Sequence, residues 1–214
     1  MTSQLPSSYS KFSVQQVCEV FSLTANLTSD LFEFVPEVEA SDFLKTLLGK
    51  FVPLGEGANT EKSRSEFIIA PILAEVCERA SFPVSLFSGN EFSVEPEKGL
   101  TGVCDFIFSA SANMYEIVAP ILLLVEAKKE NLPGGFGQCA AEMVAARIFN
   151  QRAARGISTI YGVVTTGNDW RFLKLEDNII SIDKQLYYLA QRNKLIGILL
   201  HMLQSDLQAQ ALAA

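Results

Sequence analysis

Apolar and polar positions recur along this chain with two different periods, and the switches between them mark out its elements. A helical period runs through residues 13–25 and again through "SDFLKTLLGK" (41–50), where Ser41 is an N-cap candidate. The acidic stretch between them, "SDLFEFVPEVEASD", reads as a solvated surface connection or an added edge. "NTEKSRSEFIIAPILAEVCERA" (59–80) predicts one long helix, kinked or broken near Pro71, whose ring removes a helical donor. "PVSLFSG" and "EFSVEPEKG" predict two short strands around a Gly89–Asn90 turn. "GVCDFIFSAS" and "APILLLVEAKK" predict two further strands. The second is apolar from Ile121 to Val125, then carries Glu126 and Lys128 with one alanine between them, before a turn signal at Pro133–Gly135. "GFGQCAAEMVAARIFNQRA" is a helix rich in small residues, suited to close packing on a sheet. "STIYGVVTTG" and "DWRFLKLEDN" pair across Gly167–Asn168, "IISID" adds a last strand, and residues 184–203 form the final helix. This order predicts an α/β fold with a mixed central sheet flanked by helices.

Composition narrows the class. The chain has 214 residues, enough for one sizeable domain. With 49% hydrophobic and 19% charged residues it can fill a core. No apolar run reaches membrane-spanning length, and the opening "MTSQLPSSYSKFS" lacks the layout of a secretory signal. Cys18, Cys77, Cys104 and Cys139 are scattered, without a CxxC pair. They read as small buried hydrophobes in a reducing cytoplasm. The single histidine, His201, lies in an apolar helix and reads as a core or interface residue. Chemistries that need a histidine pair or a serine–histidine relay are therefore poorly supported. Charge is uneven: residues 1–126 hold 17 acidic and 7 basic side chains, whereas residues 127–214 hold 7 and 10. A polyanion site must therefore be local, in the second half, or be bridged by cations.

Several polar residues interrupt faces that should be apolar. Period two puts Asp105 with Val103 and Ile107, and Cys104 with Phe106 and Phe108. Glu126 and Lys128 share a face with Leu122 and Leu124. Helical spacing aligns Glu66 with Ile69 and Leu73, and sets Gln138 one turn before Glu142. Each has a plain structural reading: a strand end in solvent for Glu126 and Lys128, a turn cap or ion pair for Asp105, an exposed face for Glu66, a helix cap for Gln138. Together, on separate elements, they are expected to converge on a shared divalent cation, which takes hard oxygen ligands.

These residues resemble a known family. "SRSEFIIAPIL", "GLTGVCDFIF", "ILLLVEAKK" and "GQCAAEM", in that order, are similar to the PD-(D/E)XK phosphodiesterase superfamily, whose fold is restriction-endonuclease-like. The resemblance covers roughly residues 60–182, with a subgroup that also shares "TTGxxWxFLKL". Residue by residue, Glu66 matches the helix glutamate, Asp105 the strand aspartate, Glu126 and Lys128 the Glu-x-Lys pair, and Gln138 the glutamine of the next helix. The sequence departs from the pattern at Val103–Cys104, where a proline usually precedes the aspartate. It departs again at Glu142, where a tyrosine often stands. The resemblance implies an Mg²⁺ (or Mn²⁺) site of Asp105, Glu126, the Ala127 carbonyl and Glu66. It implies Lys128 acting on the attacking water or the phosphate, Gln138 positioning Lys128 or a phosphate oxygen, and DNA as substrate. Lys129, Arg171 and Lys174 would contact the DNA backbone, with Arg171 and Lys174 on the strand face opposite Trp170 and Phe172. A fold relative that has lost catalysis and serves as a binding or assembly module is the alternative. The expected layout is an N-terminal helical extension (1–58), a nuclease-like core (59–204) and a tail (205–214). "KLIGILLHML" leaves almost no polar face and predicts a homodimer, unless the N-terminal segment covers it.

Overall fold

The computed structural model describes residues 5–213, with side chains placed through Ser205. Chain order begins with α1 (Val14–Phe21), β1 (Thr24–Asn26), α2 (Asp42–Ala58), α3 (Glu61–Arg64), a π-helical turn (Ser65–Ile69) and α4 (Ala70–Glu78). It continues with β2 (Ser85–Glu95), β3 (Leu100–Ser109), β4 (Ile121–Ala127), α5 (Leu132–Arg152), β5 (Thr159–Thr165) and β6 (Asp169–Glu176). It closes with β7 (Ile179–Ile182), β8 (Tyr187–Tyr188) and α6 (Arg192–Ala213). The fold is α/β: a mixed eight-stranded sheet in the order β1-β7-β6-β5-β4-β3-β2, with β8 added on β6. The β4/β5 and β1/β7 pairs are parallel and the others antiparallel. Helix α5 makes the crossover between β4 and β5 and, with α1 and the segment around Tyr9 and Phe12, covers one sheet face. Helices α2, α4 and α6 cover the other.

Local chemistry sets several boundaries away from the periodicity reading. The first helix stops at Phe21 rather than residue 25, because Ser22 turns left-handed (φ 55°) and Leu23 N–H closes on Cys18 O at 2.9 Å. The freed residues 24–26 then add an edge strand. Helix α2 runs past residue 50 to Ala58, through Pro53, with Ser41 Oγ capping Leu44 N–H. The predicted hairpin at Gly89–Asn90 is instead one 11-residue strand. Ser88 pairs Phe106 and Asn90 pairs Cys104, so the long partner β3 holds both halves in one register. Gly89 (φ +70°) only bends it. The signal at Pro133–Gly135 is no turn: Pro133 opens α5, where its missing N–H leaves no bond unmade. The final helix begins at Arg192, not 184, after Tyr187 and Tyr188 pair with β6. It runs on to Ala213, so the backbone of residues 205–213, expected as a tail, continues α6; the side chains of residues 206–213 and the whole of residue 214 lie outside the described residues.

The long 59–80 helix forms, but with a fault in its ladder. Ala70 N–H reaches Ser65 O, five residues back, across the π turn. Pro71 follows in the first turn of α4, where the ladder is already displaced and its missing donor costs little. The extra residue rotates everything before Ser65 against everything after Ile69.

The apolar final helix is covered by its own chain. Leu195, Ile196, Ile198, Leu199, Met202 and Leu203 are buried with Phe32, Ala40, Leu44 and Leu48. Asn193 Oδ1 accepts from Ala40 N–H at 3.1 Å, and Lys194 Nζ donates to Glu33 O at 2.9 Å. The acidic stretch 29–42 is therefore a lid, with Phe32 and Ala40 buried beneath it, Glu33, Glu37, Glu39 and Asp42 exposed, and Phe34 left in solvent. The homodimer expected from this helix loses its argument, because the lid already buries the surface a partner would have covered. His201 lies exposed beside the lid, its ring edge-on to Phe32. Cys104 and Cys139 are buried and all four cysteines are free.

Candidate active site

The C-terminal ends of the parallel strands β4 and β5 lie side by side, with Glu126 opposite Val164 and Lys128 N–H bonded to Thr165 O at 2.8 Å. Such edges collect ligands in α/β sheets. On the other side, the β3–β4 ladder ends at Phe106 opposite Val125. One residue further, Asp105 Oδ2 takes the place of a main-chain acceptor and receives Ala127 N–H at 2.8 Å. The opening of the ladder is thus what brings Asp105 to the end of β4. It also breaks strict alternation: Cys104 packs with Ile107 on the α5 face, and not with Phe106 and Phe108 as expected.

Glu126 is 1% exposed. Burial, then the Asp105 charge, push its carboxyl up to about 8 against the opposing pull of Lys128. Burial also raises Asp105, offset by the Ala127 N–H, the Lys128 charge and a hydrogen bond with Glu126. Lys128 Nζ donates to Glu126 Oε1 and, at 3.4 Å, to Gln138 Oε1. Burial alone would lower Lys128, but the Glu126 charge and hydrogen bond outweigh it and hold the ammonium protonated. Gly135 lets the lysine lie along the first turn of α5, since a Cβ there would stand 3.2 Å from Lys128 Cγ and Cε. Gln138 Nε2 donates in turn to Glu142 Oε1 at 3.1 Å. Glu142 is fully buried and raised by desolvation first and by Glu126 second.

The structure therefore brings together Asp105, Glu126, Ala127, Lys128 and Gln138, from β3, β4 and α5. It does not bring Glu66. That side chain is exposed and paired with Lys62 at 2.8 Å. The stripe traced back from Leu73 and Ile69 assumed 3.6 residues per turn, and the π turn at Ser65–Ile69 breaks that count. Glu61, one turn earlier, takes the place instead. It lines, with Lys62, Ser65, Gly89, Asp105 and Ala127, a cleft of about 180 Å³. Its charge acts on Asp105, Glu126 and Lys128. A wider cleft of about 610 Å³ between α2 and the β6–β8 region holds none of these carboxylates, so volume alone misplaces the chemistry.

The three cations assigned to DNA are engaged elsewhere. Lys129 pairs with Glu130 at 3.3 Å and Lys174 with Glu176 at 2.9 Å. Arg171 donates to the carbonyls of Asp183 and Lys184 at 2.9 and 3.1 Å. Nor do Arg171 and Lys174 share a face. Residues 170, 172 and 174 lie on one side of β6 and 171 on the other, as a period of two requires. Trp170 is in the core, its Nε1 donating to Gly167 O at 2.8 Å.

The donor set suits a hard divalent cation. Asp105, Glu126 and the Ala127 carbonyl offer only oxygen, and Glu126 Oε2 is buried without a hydrogen-bond partner. Two carboxylates and a carbonyl leave about half of an octahedral magnesium's positions to water, which that ion keeps readily. Among the described residues no three histidine, cysteine, aspartate or glutamate side chains close around one point, so a fully enclosed metal cage is not present there. Comparison with known protein families and with curated proteins finds no match for this chain.

Proposed function

We propose that the protein is a divalent-metal-dependent phosphodiesterase of the PD-(D/E)XK type, acting on DNA. The observation that carries this reading is the meeting of half-buried Asp105 and buried Glu126, two carboxyls held against each other beside the Lys128 ammonium. A fold gains nothing from pressing two carboxyls together out of water, and a cation shared between them removes the penalty. Asp105, Glu126 and the Ala127 carbonyl would hold Mg²⁺ or Mn²⁺, with Glu61 reaching it through water. When bound, that ion lowers the pKa of a coordinated water and offsets charge growing on phosphate. Asp105 is oriented by the Ala127 N–H. Lys128, held protonated, orients the attacking water or stabilises the negative charge of the five-coordinate phosphorus. Gln138 holds the lysine in line.

A non-catalytic binding or assembly module is the second reading. It is favoured by the internal engagement of Arg171, Lys174 and Lys129 and by the net charge of −7. Cleavage of duplex and single-stranded DNA with Mg²⁺ or Mn²⁺ separates the two, together with thermal shift on metal addition. Lys128→Ala should lower cleavage at least about 100-fold while the metal shift persists. Asp105→Ala should remove both. Glu61→Gln should cost more activity than Glu66→Gln. Wild-type protein with neither cleavage nor a metal shift would leave the module reading standing.

A further inference from the structure

We infer that Glu142 is a positioning residue, which fixes the Gln138 side-chain amide so that its carbonyl, and not its NH₂, faces Lys128. This rests on the catalytic role proposed for Lys128. Lys128 has donors only, so of the two ends of the Gln138 amide it can use just the oxygen, at 3.4 Å. That leaves the NH₂ pointing along α5, where Glu142 Oε1 accepts it at 3.1 Å, one helical turn on. An amide with one end unclaimed turns over freely, and turned over it would set two donors against the ammonium. Glu142 forbids that arrangement.

Glu142 is 0% exposed, in electrostatic reach of Tyr9, Cys104 and Cys139, and neither its Oε2 nor Tyr9 Oη has a hydrogen-bond partner. A methionine or leucine would fill the volume without leaving an orphan oxygen. The one polar contact Glu142 makes among the described residues is the one to Gln138. A carboxyl accepts through Oε1 whether or not Oε2 carries a proton, so the arrangement does not depend on its titration. The chain of contacts, Glu142 to Gln138 to Lys128 to Glu126, ties the buried interior of α5 to the end of β4.

The test uses Glu142→Leu, Glu142→Met as a second apolar variant, and Glu142→Gln, which restores an acceptor. In metal-free protein, NMR reads the solvent exchange of the Gln138 side-chain NH₂ and the order of the Lys128 Nζ. Both apolar variants should speed that exchange at least ten-fold and broaden the Lys128 signal, and Glu142→Gln should keep both as in wild type. In single-turnover DNA cleavage, Glu142→Leu should slow the chemical step ten-fold or more with DNA affinity and Mg²⁺ binding changed less than two-fold. It should add nothing in a Gln138→Leu background. Unchanged Gln138 exchange in whichever apolar variant folds would overturn the assignment, as would additive losses with Gln138→Leu. If wild type cleaves no DNA while the NMR effects appear, the positioning role stands and the phosphodiesterase reading falls.

Discussion

Without metal, the protein should lose stability as pH rises through neutrality, with Glu126 supplying one separable share beside fully buried Glu142. Burial and the Asp105 charge move its carboxyl from an ordinary 4.5 to about 8. Between those values the folded protein keeps a proton that the unfolded chain has released. The stabilisation is therefore complete below the lower value and is lost as pH rises towards the upper one, at about 1.4 kcal/mol per pH unit. From about pH 5.5 to about pH 7.5 the Glu126 share of the loss is about 3 kcal/mol, a large part of a domain's stability. Urea unfolding followed by the fluorescence of buried Trp170 measures it, in EDTA, at steps of half a pH unit. Glu126→Gln removes the titrating group while keeping its shape, and also relieves Glu142, whose rise owes its second part to Glu126. The variant should gain on wild type steadily across this range, and saturating Mg²⁺ should return much of the wild-type loss. Parallel pH profiles for wild type and Glu126→Gln would refute the reasoning, because the carboxyl would then be ionised in the fold at no cost.

Two further outcomes follow from the packing. In Gly197→Ala the new Cβ would stand 2.1 Å from Pro36 O, a backbone atom that cannot rotate away, so the lid must shift. The expected cost is about 1–3 kcal/mol, reduced by alanine's better helix propensity, and is read as a lower urea midpoint. Wild type should sediment as a monomer of 23.5 kDa, and twice that mass would show that a partner shares the lid. Arg171→Ala should destabilise by about 1 kcal/mol through the Asp183 carbonyl left without this donor, the Lys184 carbonyl being open to water, with the salt dependence of DNA binding unchanged. A shallower salt slope would return Arg171 to the substrate.

Most of the elements were legible in the sequence, because each carries its own signal. The apolar run Ile121–Val125 forms a strand, the small residues of α5 pack tightly on β5, and Trp170 and Phe172, set on one face by a period of two, are both buried. The Asp105, Glu126, Lys128 and Gln138 set was legible too, since buried charge on an apolar face must be compensated wherever the chain folds. What periodicity could not supply were the features set by distant partners. The β2 strand passes straight through Gly89–Asn90 because β3 lies alongside it. Glu66 gives way to Glu61 because packing against α2 and the sheet accommodates a π turn that no 3.6-residue count anticipates. A lid against α6 replaces a second subunit because apolar residues on a helix say only that something covers them, never what. Composition and spacing determine which groups must leave water or be compensated. Only tertiary structure decides which of them meet, because that depends on registers and distances between segments far apart in the chain.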